Sequence, residues 1–372
     1  MLKNGRIKIS FQTLEYDMKI GILTQPLGLN YGGVLQNFAL QQVLLRLGHQ
    51  PLTLRIDKIT LIQFFLSYIK AFITHSRLPE SQKSIDSRKI GMESFIQKYI
   101  KSTSERVWYK REDVLENGLE ALIVGSDQTW RPAYNWKIED LYLKYVKDLH
   151  LRRISYAASF GTSKWEYTDK QTIKCKKLLW MFDYVSVRED SGIQLCKTYF
   201  ERKDVLSVLD PTLLLNREDY AKVEESRVNS CPYIFAYILD NNQEKEKVIK
   251  LLGKGLDKDV IIKSVNENII STDSVSIWLS MVRDADYIVT DSFHGTVFSI
   301  LYHKKFIVIQ NERRGGARIK NLLGKMNLRK ALASYSEISY NSFNYSIDWD
   351  EVDTKLDKLR EESISFLRSS LA

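Results

Sequence analysis

The chain is predicted to form two Rossmann-like α/β domains that face each other across a cleft, each built on a mostly parallel sheet. Three observations carry this. Short apolar runs alternate with segments of helical period through both halves of the sequence. Several of these runs stop at a glycine-containing polar cluster, as strands do at the carboxyl edge of an α/β sheet, where ligands bind. Between the halves, residues 215–232 are charged, polar and aperiodic, which marks a linker. The expected division is an N-terminal extension over 1–17, a first α/β domain over 18–220 and a second over 233–372, with the final helix packing back on the first domain.

In the first half, residues 18–24 read as a strand, and Asn30, Tyr31, Gly32 and Gly33 lead from it into a helix over 34–47. The glycine pair permits positive φ and close approach of a ligand to the backbone. These four residues are therefore candidates to receive an anion or a sugar hydroxyl, although the spacing is neither a dinucleotide fingerprint nor a Walker loop. Residues 52–56 supply the next strand. The apolar, aromatic segment 59–73 is too short to span a bilayer and reads either as a buried helix or as one that touches a membrane surface. A helix is expected to end near residue 99.

The strand at 119–124 runs into Gly125, Ser126, Asp127, Gln128, Thr129 and Trp130. Ser126, Asp127 and Gln128 have the hydrogen-bonding groups a sugar needs, and Trp130 offers an apolar face for a pyranose ring; the alternative is a turn beside a core Trp. After a strand at 154–159 and a helix to residue 180, the strand 184–189 delivers Arg188 to the start of a helix over 190–199. A guanidinium at a strand end can hold a carboxylate or phosphate by two parallel bonds, which Lys cannot imitate. Residues 205–209, followed by Asp210, Pro211 and Thr212, close this half.

The second half alternates strand 233–239, helix 242–252, strand 260–265 and helix 275–283. Then comes the densest polar cluster: the strand through Thr290 meets Asp291, Ser292, Phe293, His294, Gly295 and Thr296 before an apolar helix. Ser292 is the expected N-cap, and the first turn of such a helix directs unpaired N–H groups and a positive dipole end at an anion. His294 is the expected general acid and base, since an imidazole ordinarily titrates near neutrality. Asp127 or Asp291 is the carboxylate expected to orient it. A strand over 305–309 precedes a basic loop, in which Arg313, Arg314 and Arg318 beside Gly315 and Gly316 suit a lid over an anionic donor. A helix is expected from residue 319, and an amphipathic one over 352–371.

The segment Thr290 to Thr296 resembles the signature of the polysaccharide pyruvyl transferase family. A G-S-D-x-x-W run at Gly125 to Trp130, a V-R-E-x-S run at Val187 to Ser191 and the triplet Asp210-Pro211-Thr212 resemble the family as well. The resemblance covers residues 18 to about 329 and implies the two-domain architecture known as GT-B. It also implies transfer of pyruvate from phosphoenolpyruvate, a co-substrate, to a saccharide of galactose or mannose type, free or lipid-linked. On this reading His294, Asp127 and Arg188 are catalytic, and Arg188, Ser292, His294, Gly295, Thr296 and Arg318 bind the donor. Many members have an Arg-x-His arrangement where this chain has Ser292-Phe293-His294, so the missing cation is expected from Arg313, Arg314 or Arg318.

Composition bounds these readings. The 372 residues are 44% hydrophobic and 27% charged, a globular make-up long enough for two cores. Cys175, Cys196 and Cys231 form no metal-ligand spacing and no disulfide framework, which suits a reducing cytoplasm. No cofactor and no obligatory metal are expected. A formal charge of +9 favours anionic partners, including the inner face of a membrane in a peripheral visit. No basic stripe interleaved with aromatics appears, so nucleic acid is not an expected partner. The sequence leaves the oligomeric state open. A nucleotide-sugar glycosyltransferase on the same fold and a non-catalytic carbohydrate-binding protein are the competing readings.

Overall fold

The computed structural model describes residues 17–28, 30–56, 82–226, 231–264, 273–311 and 316–372. The expectations for the extension before Asp17, for the apolar segment 59–73 and for Arg313, Arg314 and Gly315 lie outside these residues. In the first domain the order is β1 (Lys19–Leu23), α1 (Tyr31–Arg46), β2 (Gln50–Thr53), α2 (Gln82–Tyr99), α3 (Arg111–Glu116), β3 (Ala121–Val124), β4 (Arg152–Ala158), α4 (Asp169–Leu179), β5 (Tyr184–Val187), α5 (Asp190–Tyr199), β6 (Val205–Ser207) and α6 (Arg217–Ala221). The second holds β7 (Tyr233–Ile238), α7 (Gln243–Leu256), β8 (Asp259–Ser264), α8 (Val275–Asp284), β9 (Tyr287–Thr290), α9 (Phe293–Leu301), β10 (Lys305–Ile309), α10 (Gly316–Lys325), β11 (Leu332–Ala333) and α11 (Trp349–Leu371).

Every described strand pair is parallel. The first sheet has six strands in the order β2-β1-β3-β4-β5-β6, and the second has five in the order β11-β10-β9-β7-β8. In each, the chain leaves its first strand to one side and then returns across it. That reversal opens a crevice at the carboxyl ends, between β1 and β3 in one sheet and between β7 and β9 in the other. Apolar strands covered on both faces explain why β1, β3, β7 and β10 read as nearly continuous hydrophobic runs.

The domains are joined by a packed interface of aromatic rings. Tyr31 stacks on Trp278 of α8 with ring centres 5.5 Å apart, and Tyr220 meets Phe298 of α9 edge-on at 4.9 Å. The stretch expected as a bare linker holds α6, whose N-cap Asn216 forms a reciprocal capping pair with Asp219. Arg46 of α1 grips the same Asp219 with both guanidinium nitrogens, which fixes that helix to the first domain. Helix α11 begins on the second domain, where Trp349 stacks on His303, and ends on the first, where Phe366 packs against Tyr156 and Ser363 Oγ accepts from the Leu209 N–H.

Candidate active site

The site is assembled from four strand ends, beginning with β3. Gly125 takes φ +134°, and a Cβ there would lie 2.0 Å from the Tyr156 carbonyl oxygen, so only glycine fits. Asp127 follows in the left-handed region at φ 69°, a backbone conformation that an Asp tolerates better than most residues. Gln36 of α1 holds the turn. Its Oε1 accepts from the Ser126 N–H at 3.1 Å, while its amide donates to Thr24 Oγ1 and to the Gly33 carbonyl.

At the end of β5, Arg188 is bound by its N–H to the Ala158 carbonyl, and its side chain crosses the mouth of the sheet. Its guanidinium lies 2.8 Å from Asp210 Oδ2 and 3.5 Å from Asp127 Oδ1. Asp210, which follows β6, also accepts from Ser126 Oγ at 3.0 Å and from the Thr212 N–H at 3.0 Å. Arg188 is thus a buried hub and not a surface partner of Glu189 or Asp190.

The second domain contributes α9 and α10. Ser292 caps α9, its Oγ accepting from the Gly295 N–H, and Thr296 bonds back to the Ser292 carbonyl. His294 in the first turn crosses to the first domain, where its Nε2 lies 3.7 Å from Asp210 Oδ1. That buried nitrogen has no hydrogen-bond partner. The imidazole rests directly on Gly32 of α1: a Cβ at that position would lie 1.9 Å from Nδ1. Arg318, in the first turn of α10, reaches Asp127 Oδ1 at 3.0 Å. Both guanidiniums also lie over the Phe293 ring, their carbons 5.0 Å (Arg188) and 5.4 Å (Arg318) from its centre.

Charge is distributed unevenly over the carboxylates. Burial alone would raise Asp210, but the Arg188 guanidinium and the adjoining His294 outweigh it and hold its carboxyl well below the usual range. Asp127 behaves alike: burial works to raise it, and Arg188, Arg318 and His294 together bring it down. Glu189 goes the other way, since burial raises it despite Arg318 and Arg188 nearby. Its Oε1 accepts from Ser159 Oγ and the Phe160 N–H, whereas the buried Oε2 has no partner. A shallow cleft lined by Arg188, Asp210, Phe293, Arg318 and Lys325 opens beside this cluster.

His294, Asp127, Arg188, Ser126 and Arg318 are thus brought together from both domains. Other candidates take structural positions. Trp130 is fully buried, stacked on Tyr142 with centres 5.0 Å apart, and cannot offer a face to a sugar. Gln128 points into the fold, where its amide oxygen accepts from Arg131. Asn30 caps α1 by accepting from the Gly32 N–H, and Tyr31 is buried in the interdomain stack. Gly32 and Gly33 lie inside the first turn of α1 without positive φ. Gly32 makes room for His294, and Gly295 makes room for Thr290, whose Oγ1 would lie 2.2 Å from a Cβ. Asp291 faces away from His294 and binds Lys245 and Asn311. Arg318 belongs to a helix, not to a mobile loop.

Asp210, Glu189 and Phe293 are the members that the sequence did not single out for a role. Asp210 had a signal, a carboxylate directly after a strand and before a proline. Glu189 and Phe293 lie within runs that resemble the family, but nothing in those runs shows that Glu189 is buried against Ser159 and Phe160 or that the Phe293 ring lies under Arg188 and Arg318.

The family model described as polysaccharide pyruvyl transferase matches residues 30–313 of the chain. No curated protein matches it in sequence. Among solved structures, a Staphylococcus aureus MnaA co-structure with UDP is 9% identical with a TM-score of 0.53, covering 95% of this chain and 97% of that one. A UDP-GlcNAc 2-epimerase from Neisseria meningitidis, bound to UDP-GlcNAc, is 7% identical with a TM-score of 0.50, covering 95% and 99%. The glycosyltransferase SnogD from Streptomyces nogalater is 9% identical with a TM-score of 0.47, covering 94% and 96%. At such identities the likeness speaks to fold alone, two parallel α/β domains of the GT-B type.

Proposed function

The chain belongs to the polysaccharide pyruvyl transferase family, and from that premise we propose that it transfers the pyruvyl group of phosphoenolpyruvate to two hydroxyls of a sugar as a cyclic ketal. The observation that carries the reading is the meeting of His294 with Asp210 beside two arginines at the mouths of both sheets. The donor is a small trianion whose activation needs a proton on carbon. Those groups answer both demands.

Arg188 and Arg318 bind the carboxylate and phosphate by charge-assisted bonds, and the buried setting strengthens them. His294 delivers a proton to the donor methylene carbon, which leaves the phosphate-bearing carbon electrophilic. One sugar hydroxyl attacks that carbon and gives up its proton. The phosphate then departs with the C–O electron pair, and a second hydroxyl closes the ring. The carbon keeps one proton, and the other released proton leaves on the phosphate. Asp210 aligns His294 and Arg188 throughout. Asp127, now shared by the two guanidiniums, turns to the acceptor hydroxyl once a donor anion takes its place.

The acceptor is read as a saccharide of galactose or mannose type, free or lipid-linked, used at the inner membrane face. Among the described residues no helix is long and apolar enough to cross a membrane. The test is phosphate release from phosphoenolpyruvate with galactoside and mannoside acceptors, followed by product mass. A mass gain of one pyruvyl ketal supports the reading. Silence with every acceptor, joined to binding of a sugar nucleotide, replaces it with glycosyl transfer.

A further inference from the structure

Beyond the reacting centre, the loop that begins at Asp127 ends in a group of exposed aromatic rings. Trp136 is 67% exposed and Tyr134 is 48% exposed, values far from those of the buried Trp130 on the same loop. An indole and a phenol ring exposed on the protein surface are unfavourably hydrated unless something covers them. These rings are also held in place. Trp136 meets Trp108 edge-on with centres 5.0 Å apart, and Lys137 Nζ sits 3.5 Å above the Trp108 ring. The Arg131 guanidinium lies 4.8 Å over Tyr134 and is itself bound in two-pronged fashion by Glu166.

The backbone under the rings is pinned as well. Asn135 donates to the carbonyls of Gln128, Thr129 and Arg131, and Gln25, just past β1, donates to both Asn135 and Gln128. The neighbour of Trp108, Tyr109, donates to the Thr24 carbonyl at 2.9 Å. Both arms of the aromatic group are therefore anchored at the carboxyl ends of β1 and β3, the crevice that also presents Asp127.

We propose that Trp136, with Tyr134 and Trp108, forms a distal subsite for the acceptor glycan, binding a sugar unit beyond the one that receives pyruvate. The inference rests on the saccharide acceptor of the proposed reaction. A pyranose presents a C–H face that stacks on an indole and a hydroxyl rim that needs donors, and the Lys137 ammonium stands beside the rings as such a donor. Rigid rings on a pinned loop lose little entropy on binding. A lipid surface or a second copy of the chain would also cover indoles, but the rings are continuous with the catalytic crevice through one loop, which favours a glycan threaded into it.

The test compares galactosyl and mannosyl monosaccharides with the corresponding tetrasaccharides, by tryptophan fluorescence titration and by the KM and kcat of phosphate release. Phosphoenolpyruvate binding is measured separately by calorimetry. The wild type should bind one tetrasaccharide about tenfold more tightly than its monosaccharide. Trp136→Ala should lose that gain through KM with kcat and donor affinity unchanged, and Trp136→Tyr should recover part of it. A gain absent in the wild type, or kept in Trp136→Ala, overturns the subsite while pyruvyl transfer stands. A gain lost in Trp136→Ala without any turnover keeps the subsite and overturns the reaction. Vesicles of anionic phosphatidylglycerol, or self-association, depending on Trp136 where no glycan does also overturns it.

Discussion

Arg318 of the second domain lies 3.0 Å from Asp127 of the first, and Arg188 reaches the same carboxylate oxygen from the other side at 3.5 Å. One buried carboxylate thus stands between two guanidiniums. On the proposed reading of the site, this carboxylate occupies the place that the carboxylate or phosphate of a donor takes, and Asp127 is then its competitor.

This competition fixes the sign of a prediction. Asp127→Asn removes the competing charge and should leave phosphoenolpyruvate affinity unchanged or tighter, while turnover falls because the acceptor loses its base. Arg318→Ala should weaken donor binding by about 2–5 kcal/mol, the usual effect of truncating one partner of a buried charge pair. Arg318→Lys should restore little, since the planar two-pronged geometry is lost. Calorimetric donor titration checks all three, and weaker donor binding in Asp127→Asn would sink the competition argument.

A second prediction concerns Gly32. Ala is the better helix former by about 0.5–1 kcal/mol, so the exchange in α1 should be harmless on local grounds. Here the new methyl would lie 1.9 Å from Nδ1 and 2.2 Å from Cγ of His294, and the domains are packed too tightly to part without loss. Gly32→Ala should keep its circular dichroism spectrum and lose activity by about a hundredfold, as expected for a misplaced catalytic group. Activity within twofold of wild type would show that His294 does not need this seat.

The same glycine shows what the sequence made legible. The βα alternation, the two sheets and the polar strand ends were readable because each is a local pattern of period and punctuation. His294, Asp127 and Arg188 stood out because each follows a strand end. The reason for Gly32 did not, because it lies in the opposite domain. Nor did the burial of Trp130, which sits at the same kind of strand end as Asp127 but points the other way. The two-residue β11 is too short to carry a period, and α6 was hidden in polar sequence because its stability comes from capping and from Arg46.

A third prediction uses the opposed carboxyl groups. Asp210 has a depressed folded pKa, so its contribution to stability is complete above the unfolded carboxylate value near 4 and is lost as pH falls below it. Asp210→Asn leaves Arg188 buried without its nearest carboxylate and should destabilise by about 3–5 kcal/mol at neutral pH. Glu189 has a raised folded pKa, so its contribution is complete below the unfolded value near 4.3 and is lost as pH rises through the folded one. Glu189→Gln should therefore gain stability relative to wild type as pH rises. Urea midpoints between pH 2 and pH 8 check both signs, the Asp210 loss below about pH 4 and the Glu189 loss above it, and parallel wild-type and Glu189→Gln curves would remove the buried acid from the account.

The last prediction separates two tryptophans of one loop. Trp130 has no exposed surface, lies nearly coplanar over Tyr142 at 11°, and donates from Nε1 to the Leu141 carbonyl. Its backbone carbonyl also receives the Tyr167 hydroxyl at 2.7 Å. Trp130→Ala empties the centre of this cluster and should destabilise the first domain by about 3–5 kcal/mol, since the surrounding rings can collapse only in part. Trp136→Ala removes a ring that is mostly in water and should change stability by no more than about 0.5 kcal/mol. Thermal unfolding distinguishes them without any substrate. Equal losses in the two variants would mean that Trp136 supports the loop instead of facing a ligand, whereas the expected split leaves its exposure available for binding.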